Sequence, residues 1–138
     1  MAGEVFDPRP RNGVSYVVGD TAVPLAHVTV PALLEATVRR CPEAEAAVFR
    51  EQGVRWTWRA FAEQVDALAA GLHALGLERG DRIGIWSPNR YEWVLTQFAT
   101  ARLGLILVNI NPAYRLSELE YALNKVGCKA IVAAEAFK

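Results

Sequence analysis

A chain of 138 residues is long enough for one domain and buries roughly two-thirds of its unfolded surface if it closes. Hydrophobic residues make up 52% and charged residues 22%, which excludes a disordered composition. Fifteen basic residues balance fifteen acidic ones, so no bulk charge draws the chain to a nucleic-acid backbone or an anionic membrane.

In chain order, residues 1–13 read as a mobile arm, with two prolines and a glycine among charges in residues 7–13. The opening stretch has no apolar core, which argues against a secretory signal. Its few serines, with Glu4 and Asp7, argue against an import peptide. No stretch approaches the ~20 apolar residues of a membrane helix. The expected compartment is the cytoplasm, with the mitochondrial matrix as the alternative for a eukaryotic chain. Residues 15–18 read as a short extended piece, broken by Gly19-Asp20 and Pro24.

The first helix is predicted over residues 30–40. Thr29 is its N-cap, Pro31 sits in its first turn, Arg39 and Arg40 suit its C-terminal dipole, and Pro42 blocks continuation. Residues 46–49 and 54–56 read as strands of a hairpin turning at Arg50-Glu51-Gln52-Gly53. A long helix starts after Thr57. Phe61, Val65, Leu68, Leu72 and Leu75 form its apolar stripe, Glu63, Gln64, Asp66 and His73 lie off it, and Gly76 stops it.

From Arg82 onward, apolar runs alternate with helices. Residues 83–86 form a run closed by Ser87-Pro88-Asn89. Residues 91–103 read as a helix apolar on most sides, stopped by Gly104. Residues 105–108 form a second run, closed by Asn109-Ile110-Asn111-Pro112. Ser117-Glu118-Leu119-Glu120 has the form of a capping box opening a helix to about Val126, which ends at Gly127. Residues 129–134 are a third run. Strand, helix, strand, helix, strand is the signature of a parallel βαβαβ unit with right-handed crossovers, here preceded by a helix and a β-hairpin. Continuous apolar strands predict a sheet covered on both faces.

Ligands of open parallel sheets bind beyond the carboxyl ends of the strands. That rule points to two loops, Ser87-Pro88-Asn89-Arg90 and Asn109-Ile110-Asn111-Pro112-Ala113-Tyr114. Their Asn and Pro residues serve equally as the turn chemistry of tight connections. No phosphate loop is present: Gly76, Gly80 and Gly84 stand four apart around Asp81-Arg82, which matches no phosphate fingerprint. Gly80-Asp81-Arg82 is explained as a turn followed by the wet end of a buried strand. His27 and His73 belong to no triad or HExxH pattern. Glu43/Glu45 and Glu118/Glu120 are close carboxylate pairs, read as solvated charge and, for Glu120, as capping. Cys41 and Cys128 are expected as reduced thiols without a zinc site. Trp56, Trp58, Trp86 and Trp93 are read as packing residues.

These segments together resemble the N-terminal region of the adenylate-forming (AMP-binding) superfamily of acyl-CoA synthetases, luciferases and peptide-synthetase adenylation domains. Trp56-Thr57-Trp58-Arg59-Ala60-Phe61 resembles the early strand-to-helix motif, with Ala60 in place of an acidic residue. Leu75-Gly76-Leu77 followed by Gly80-Asp81-Arg82-Ile83 is similar to the next block, preceded by Gly71-Leu72. Ser87-Pro88-Asn89, Ala101-Arg102-Leu103-Gly104 and Val108-Asn109-Ile110-Asn111-Pro112 follow in the family's order. Ser15-Tyr16, Gly19, Pro24-Leu25, Asn111-Pro112-Ala113-Tyr114 and Val126-Gly127-Cys128-Lys129 resemble the branch of medium- and long-chain fatty acyl-CoA synthetases.

The resemblance implies that residues 14–138 are a partial N-terminal AMP-binding domain of a larger adenylating enzyme, truncated at its C-terminus. The enzyme it implies joins a fatty acid to CoA with ATP and Mg²⁺, releasing AMP and pyrophosphate. The family's phosphate loop, ribose-binding acid, metal-binding Glu and C-terminal lysine match nothing in this chain. No catalytic, cofactor-binding or metal-binding residue is therefore assigned, and the chain alone is expected to be inactive, with no cofactor of its own. Its implied partners are fatty acid, ATP, CoA and the remainder of the synthetase, with no nucleic acid and no transmembrane segment. A stand-alone small-molecule binding module, or a regulatory paralogue pairing with an intact synthetase, stays open beside this reading. Acyl chain length and oligomeric state are not legible in the chain.

Overall fold

The computed structural model describes residues 19, 22 and 25–137. The arm at residues 1–13, the extended piece at 15–18 and the breaks at Asp20 and Pro24 lie outside the described residues. Helix α1 (Val30–Arg40) has the predicted bounds, with the Thr29 hydroxyl accepting the Ala32 N–H. Strands β1 (Glu45–Phe49) and β2 (Val54–Thr57) form the antiparallel hairpin, each a residue longer than predicted, across a 3₁₀ turn at Arg50–Gln52. Helix α2 (Trp58–Ala74) is capped by Thr57, and Gly76 follows at φ 80°, the left-handed conformation of a helix stop.

The stripe of α2 differs from the prediction at its end. Leu75 lies one residue past the helix and is 74% exposed, while Ala69 turns inward with Phe61, Val65 and Leu72. Strand β3 (Arg82–Trp86), helix α3 (Tyr91–Leu103), strand β4 (Ile106–Ile110), helix α4 (Leu116–Val126) and strand β5 (Cys128–Ala133) complete the fold. The three strands form a parallel sheet in the order β4-β3-β5, with Gly84 paired to Val108 on one side and Ile131 on the other. The predicted α/β class with its parallel βαβαβ unit is the observed one.

Two details are corrected. Asn109 and Ile110 belong to β4, not to the following loop: they pair with Ile85 and Trp86, and Ile110 is buried. Helix α4 starts two residues earlier than the Ser117 cap implies. The Glu118 carboxylate, not that of Glu120, accepts the Arg115 N–H at 2.9 Å, and Ser117 sits exposed inside the first turn.

Two clusters form the core. One joins α1, α2, α3 and the hairpin through Leu34, Phe61, Val65 and Leu95, flanked by Trp56, Trp58 and Phe98. Edge-to-face ring pairs at 5.1–5.2 Å, Phe61–Phe98 and Trp56–Tyr91, hold it, each worth about 1 kcal/mol beyond simple burial. The other joins α2 and α3 to the sheet through Leu72, Ile83, Ala99 and Leu105, with Leu107, Ala130 and Val132 against it. Helix α3 lies between the two. Its buried Thr96 and Thr100 donate their hydroxyls to the carbonyls of Glu92 and Thr96, so no polar group is stranded there.

Two-sided cover is complete only for β3. Along β5 half-buried and exposed residues alternate, and Ile106 of β4 is 51% exposed. Among the described residues, helices α2 and α3 share one face of the sheet, while α4 stands on the other. It is admitted there by Gly84, where a Cβ would lie 3.1 Å from Leu123 Cδ2 and 2.8 Å from Ile110 Cδ1.

Candidate functional site

The two loops predicted to flank a site meet. Ser87, Pro88 and Asn89 after β3 face Asn109, Ile110, Asn111 and Pro112 at the end of β4, with Trp93 from the first turn of α3 as a wall. They enclose an open cleft of about 570 Å³ at the carboxyl ends of the strands. The local turn chemistry is also present. Asn111 Oδ1 accepts the Ala113 N–H at 3.0 Å, and the buried Ser87 hydroxyl donates to the Pro88 carbonyl at 2.9 Å. The Asn89 and Asn109 carboxamides are exposed and make no hydrogen bond among the described residues, which leaves them available as donors and acceptors.

The wall is set from a distance. Gln52, in the hairpin turn, accepts the Tyr91 N–H on Oε1 at 2.8 Å and donates from Nε2 to Glu92 at 2.9 Å. It thereby caps a helix start that has no local side-chain cap. Burial pushes the Glu92 carboxyl up, but hydrogen bonds from Arg90 and Gln52 outweigh it and hold the group below the usual carboxylate range. Glu92 in turn raises Arg90. Nothing in the sequence signalled Gln52, because its partners stand 39 and 40 residues away.

The remaining candidates serve the scaffold. Asp81, at the opposite end of β3, accepts Lys129 Nζ at 2.7 Å and the Glu78 N–H at 2.8 Å, which together lower its pKa. Arg82 donates to the Val126 carbonyl at 2.9 Å and so caps the C-terminus of α4. Glu43 pairs with Arg59 and Glu45 with Arg55 at the surface. His27 and His73 are exposed and line no part of the cleft. Cys41 and Cys128 are free thiols, and burial raises that of Cys128. Trp56 and Trp58 pack against Phe61, and Trp86 packs on Phe137 with ring centroids 4.5 Å apart. Trp93 alone of the four tryptophans lines the cleft. Among the described residues no group of three His, Cys, Asp or Glu side chains could hold a metal ion, and the cleft is lined by no carboxylate, the protein ligand Mg²⁺ takes, so the cleft lining does not fit a Mg²⁺ site. Two carboxamides and an indole can bind and orient a ligand; they supply no nucleophile and no general base.

The family described as AMP-binding enzyme matches residues 34–138. The chain belongs to that family. It is 50% identical over 131 residues to the medium-chain acyl-CoA ligase ACSF2, mitochondrial, of Bos taurus, covering 95% of this chain and 21% of the ligase. Its counterpart in Danio rerio is 54% identical over 129 residues, covering 94% and 21%. The chain thus spans about a fifth of the length of these curated relatives. A fatty acyl-CoA synthetase of Mycobacterium tuberculosis superposes with a TM-score of 0.76 at 26% identity, over 79% of this chain and 22% of that one. The inhibitor-bound N-terminal domain of FACL13 from the same organism superposes at 0.73 and 27% identity, over 76% of this chain and 26% of that domain. The resemblance to the AMP-binding superfamily read from the ordered motifs is thereby confirmed, and the curated relatives named above are acyl-CoA ligases. No helix among the described residues is long and apolar enough to cross a membrane.

Proposed function

We propose that this chain is the opening part of the N-terminal domain, residues 14–138, of an ATP-dependent, AMP-forming acyl-CoA ligase acting on medium-chain fatty acids. The observation that carries this reading is identity of about one residue in two, across nearly the whole chain, to medium-chain acyl-CoA ligases. In the proposed reaction a carboxylate oxygen attacks the α-phosphorus of ATP and expels pyrophosphate. The thiol of CoA then attacks the acyl carbonyl and expels AMP. Positioning and phosphate-charge stabilisation carry both steps. The chain's own part is structural: it holds the β3 and β4 loops as one wall of a cleft and closes α3 behind them. The mitochondrial relatives support a mitochondrial site of action.

The test is a chimera in which this chain replaces the aligned segment of the bovine ligase. AMP release that requires acid, ATP and CoA, within about a hundredfold of the parent, is expected, since misplacement of a scaffold by an ångström costs on that order. A folded chimera that releases no AMP overturns the reading. The 138-residue chain by itself should release none, and turnover by it would refute the purely structural role.

A further inference from the structure

Helix α3 begins with no cap of its own. A helix start ordinarily carries Ser, Thr, Asp or Asn to hold its free N–H groups. Here Arg90 stands at that position, and its side chain turns to Glu92 instead. The cap is delegated to Gln52, whose carboxamide holds Tyr91 and Glu92, the two residues just before the Trp93 wall. The hairpin grips the same point through its rings. Tyr91 stands edge-to-face to Trp56 at 5.2 Å and to Phe49 at 6.1 Å. The loop at residues 87–90 is thus strung between β3, held in the sheet, and a helix start held by the hairpin.

We infer that Gln52 is a positioning residue of the ligase reaction: through the wall at Tyr91 to Trp93 it sets the affinity of the cleft for the uncharged, chain-like part of a substrate. The role rests on the ligase reading above. Gln52 lines no part of the cleft, so its loss acts through the wall it holds. The lining says which part of a substrate is bound. It offers an indole, two prolines, an isoleucine and free carboxamides, and no charged side chain. The neighbouring cation, Arg90, is paired with Glu92, and the Tyr91 N–H at the helix start is taken by Gln52. A phosphate or carboxylate would therefore find no counter-charge in the cleft. The hydrocarbon of a fatty acid would find apolar surface. The amide-bearing arm of CoA would find that surface too, with donors and acceptors in Asn89 and Asn109.

Steady-state kinetics of the bovine chimera test this, each substrate varied with the other two saturating and kcat referred to folded enzyme. Gln52→Ala should raise KM for a medium-chain fatty acid, for CoA or for both about tenfold and keep kcat within about twofold, the signature of lost binding rather than lost chemistry. A rise for the acid alone assigns the cleft to the acyl chain, and a rise for CoA alone assigns it to the amide-bearing arm. Gln52→Glu should raise the same KM, because it loses its donor and sets a second carboxylate against Glu92. Combining Gln52→Glu with Glu92→Gln should restore it, since the pair then meets again as acceptor and donor. Arg102→Ala loosens the other end of α3 from Asp66 and Glu35 and should leave every KM unchanged. Should Gln52→Ala not fold, Gln52→Glu and the double variant decide. Unchanged KM for acid and CoA, a rise for ATP alone or for all three substrates alike, or a fall in kcat alone overturns the inference and leaves the ligase reading standing. A matching rise in Arg102→Ala, or a double variant no better than Gln52→Glu, does the same. A folded parent chimera that releases no AMP overturns the ligase reading and this role with it.

Discussion

Gln52→Ala removes one side chain and two hydrogen bonds at the start of α3. The bond to the Tyr91 N–H is a helix cap, and losing such a cap costs about 1 kcal/mol. The bond to Glu92 is charge-assisted and worth about 1.5–3 kcal/mol where buried. The Glu92 side chain is 40% exposed, so solvent screening reduces it to about 1 kcal/mol. The sum, about 2 kcal/mol, lowers Tm by roughly 6–10 °C in a domain of this size. Urea unfolding should show a lower midpoint at constant slope, because the denatured state gains no new surface. Gln52→Glu makes a sharper variant. It keeps an acceptor for the Tyr91 N–H but sets a second carboxylate against Glu92, so it should be destabilised at neutral pH and recover as acidification protonates one of the pair. A Gln52→Ala loss below about 0.5 kcal/mol, with Gln52→Glu indifferent to pH, would show that the hairpin turn does not hold α3 and that the cleft wall is set some other way.

Three further outcomes follow from contacts elsewhere in the fold. The Asp81 pKa is lowered in the folded state, so its stabilisation is fully present above the ordinary carboxylate range and disappears as pH falls through the lowered value; Asp81→Asn should be less stable at neutral pH but lose less on acidification, and parallel acid limbs in urea titrations of the two proteins would refute this. Arg102 reaches Asp66 at 2.7 Å and also Glu35, tying α3 to α1 and α2; Arg102→Ala should cost about 1 kcal/mol and Arg102→Lys most of that, with the difference shrinking in high salt, and a salt-independent loss would point to packing instead. Gly84→Val should cost about 1–3 kcal/mol by thermal melting, since its first side-chain carbon already meets Ile110 and Leu123, and an unchanged melt would mean that α4 is not seated on β3.

Much of the fold was legible because its signals are local. Thr29, Pro31 and Pro42 bracket α1, Gly104 ends α3 at φ 69°, and the alternation of apolar runs with helices shows the parallel unit. The misreadings share a cause. Asn109 and Ile110 look like the start of an Asn-Pro turn, but pairing with β3 extends the strand through them, since tertiary hydrogen bonds override a weak local preference. Ser117 through Glu120 spells a capping box, yet Glu118 is the carboxylate that reaches the free N–H, two residues earlier. The site was legible as two loops and not as a cleft. The rule of the carboxyl strand ends locates Ser87 and Asn111, but only the structure shows Trp93 closing the space between them and Gln52 holding the helix that carries it.

The strand order carries a consequence for how the chain comes together. The middle strand of the sheet, β3, is the first of the three to leave the ribosome, and by then α2 is already available to cover it. Each later strand arrives to find its template in place: β4 joins one flank of β3 and β5 the other. Growth outward from a seeded centre keeps the loop that closes β4 onto β3 to a single helix and its turns, which limits the entropy spent before that strand is rewarded, whereas β5 reaches β3 only across α3, β4 and α4.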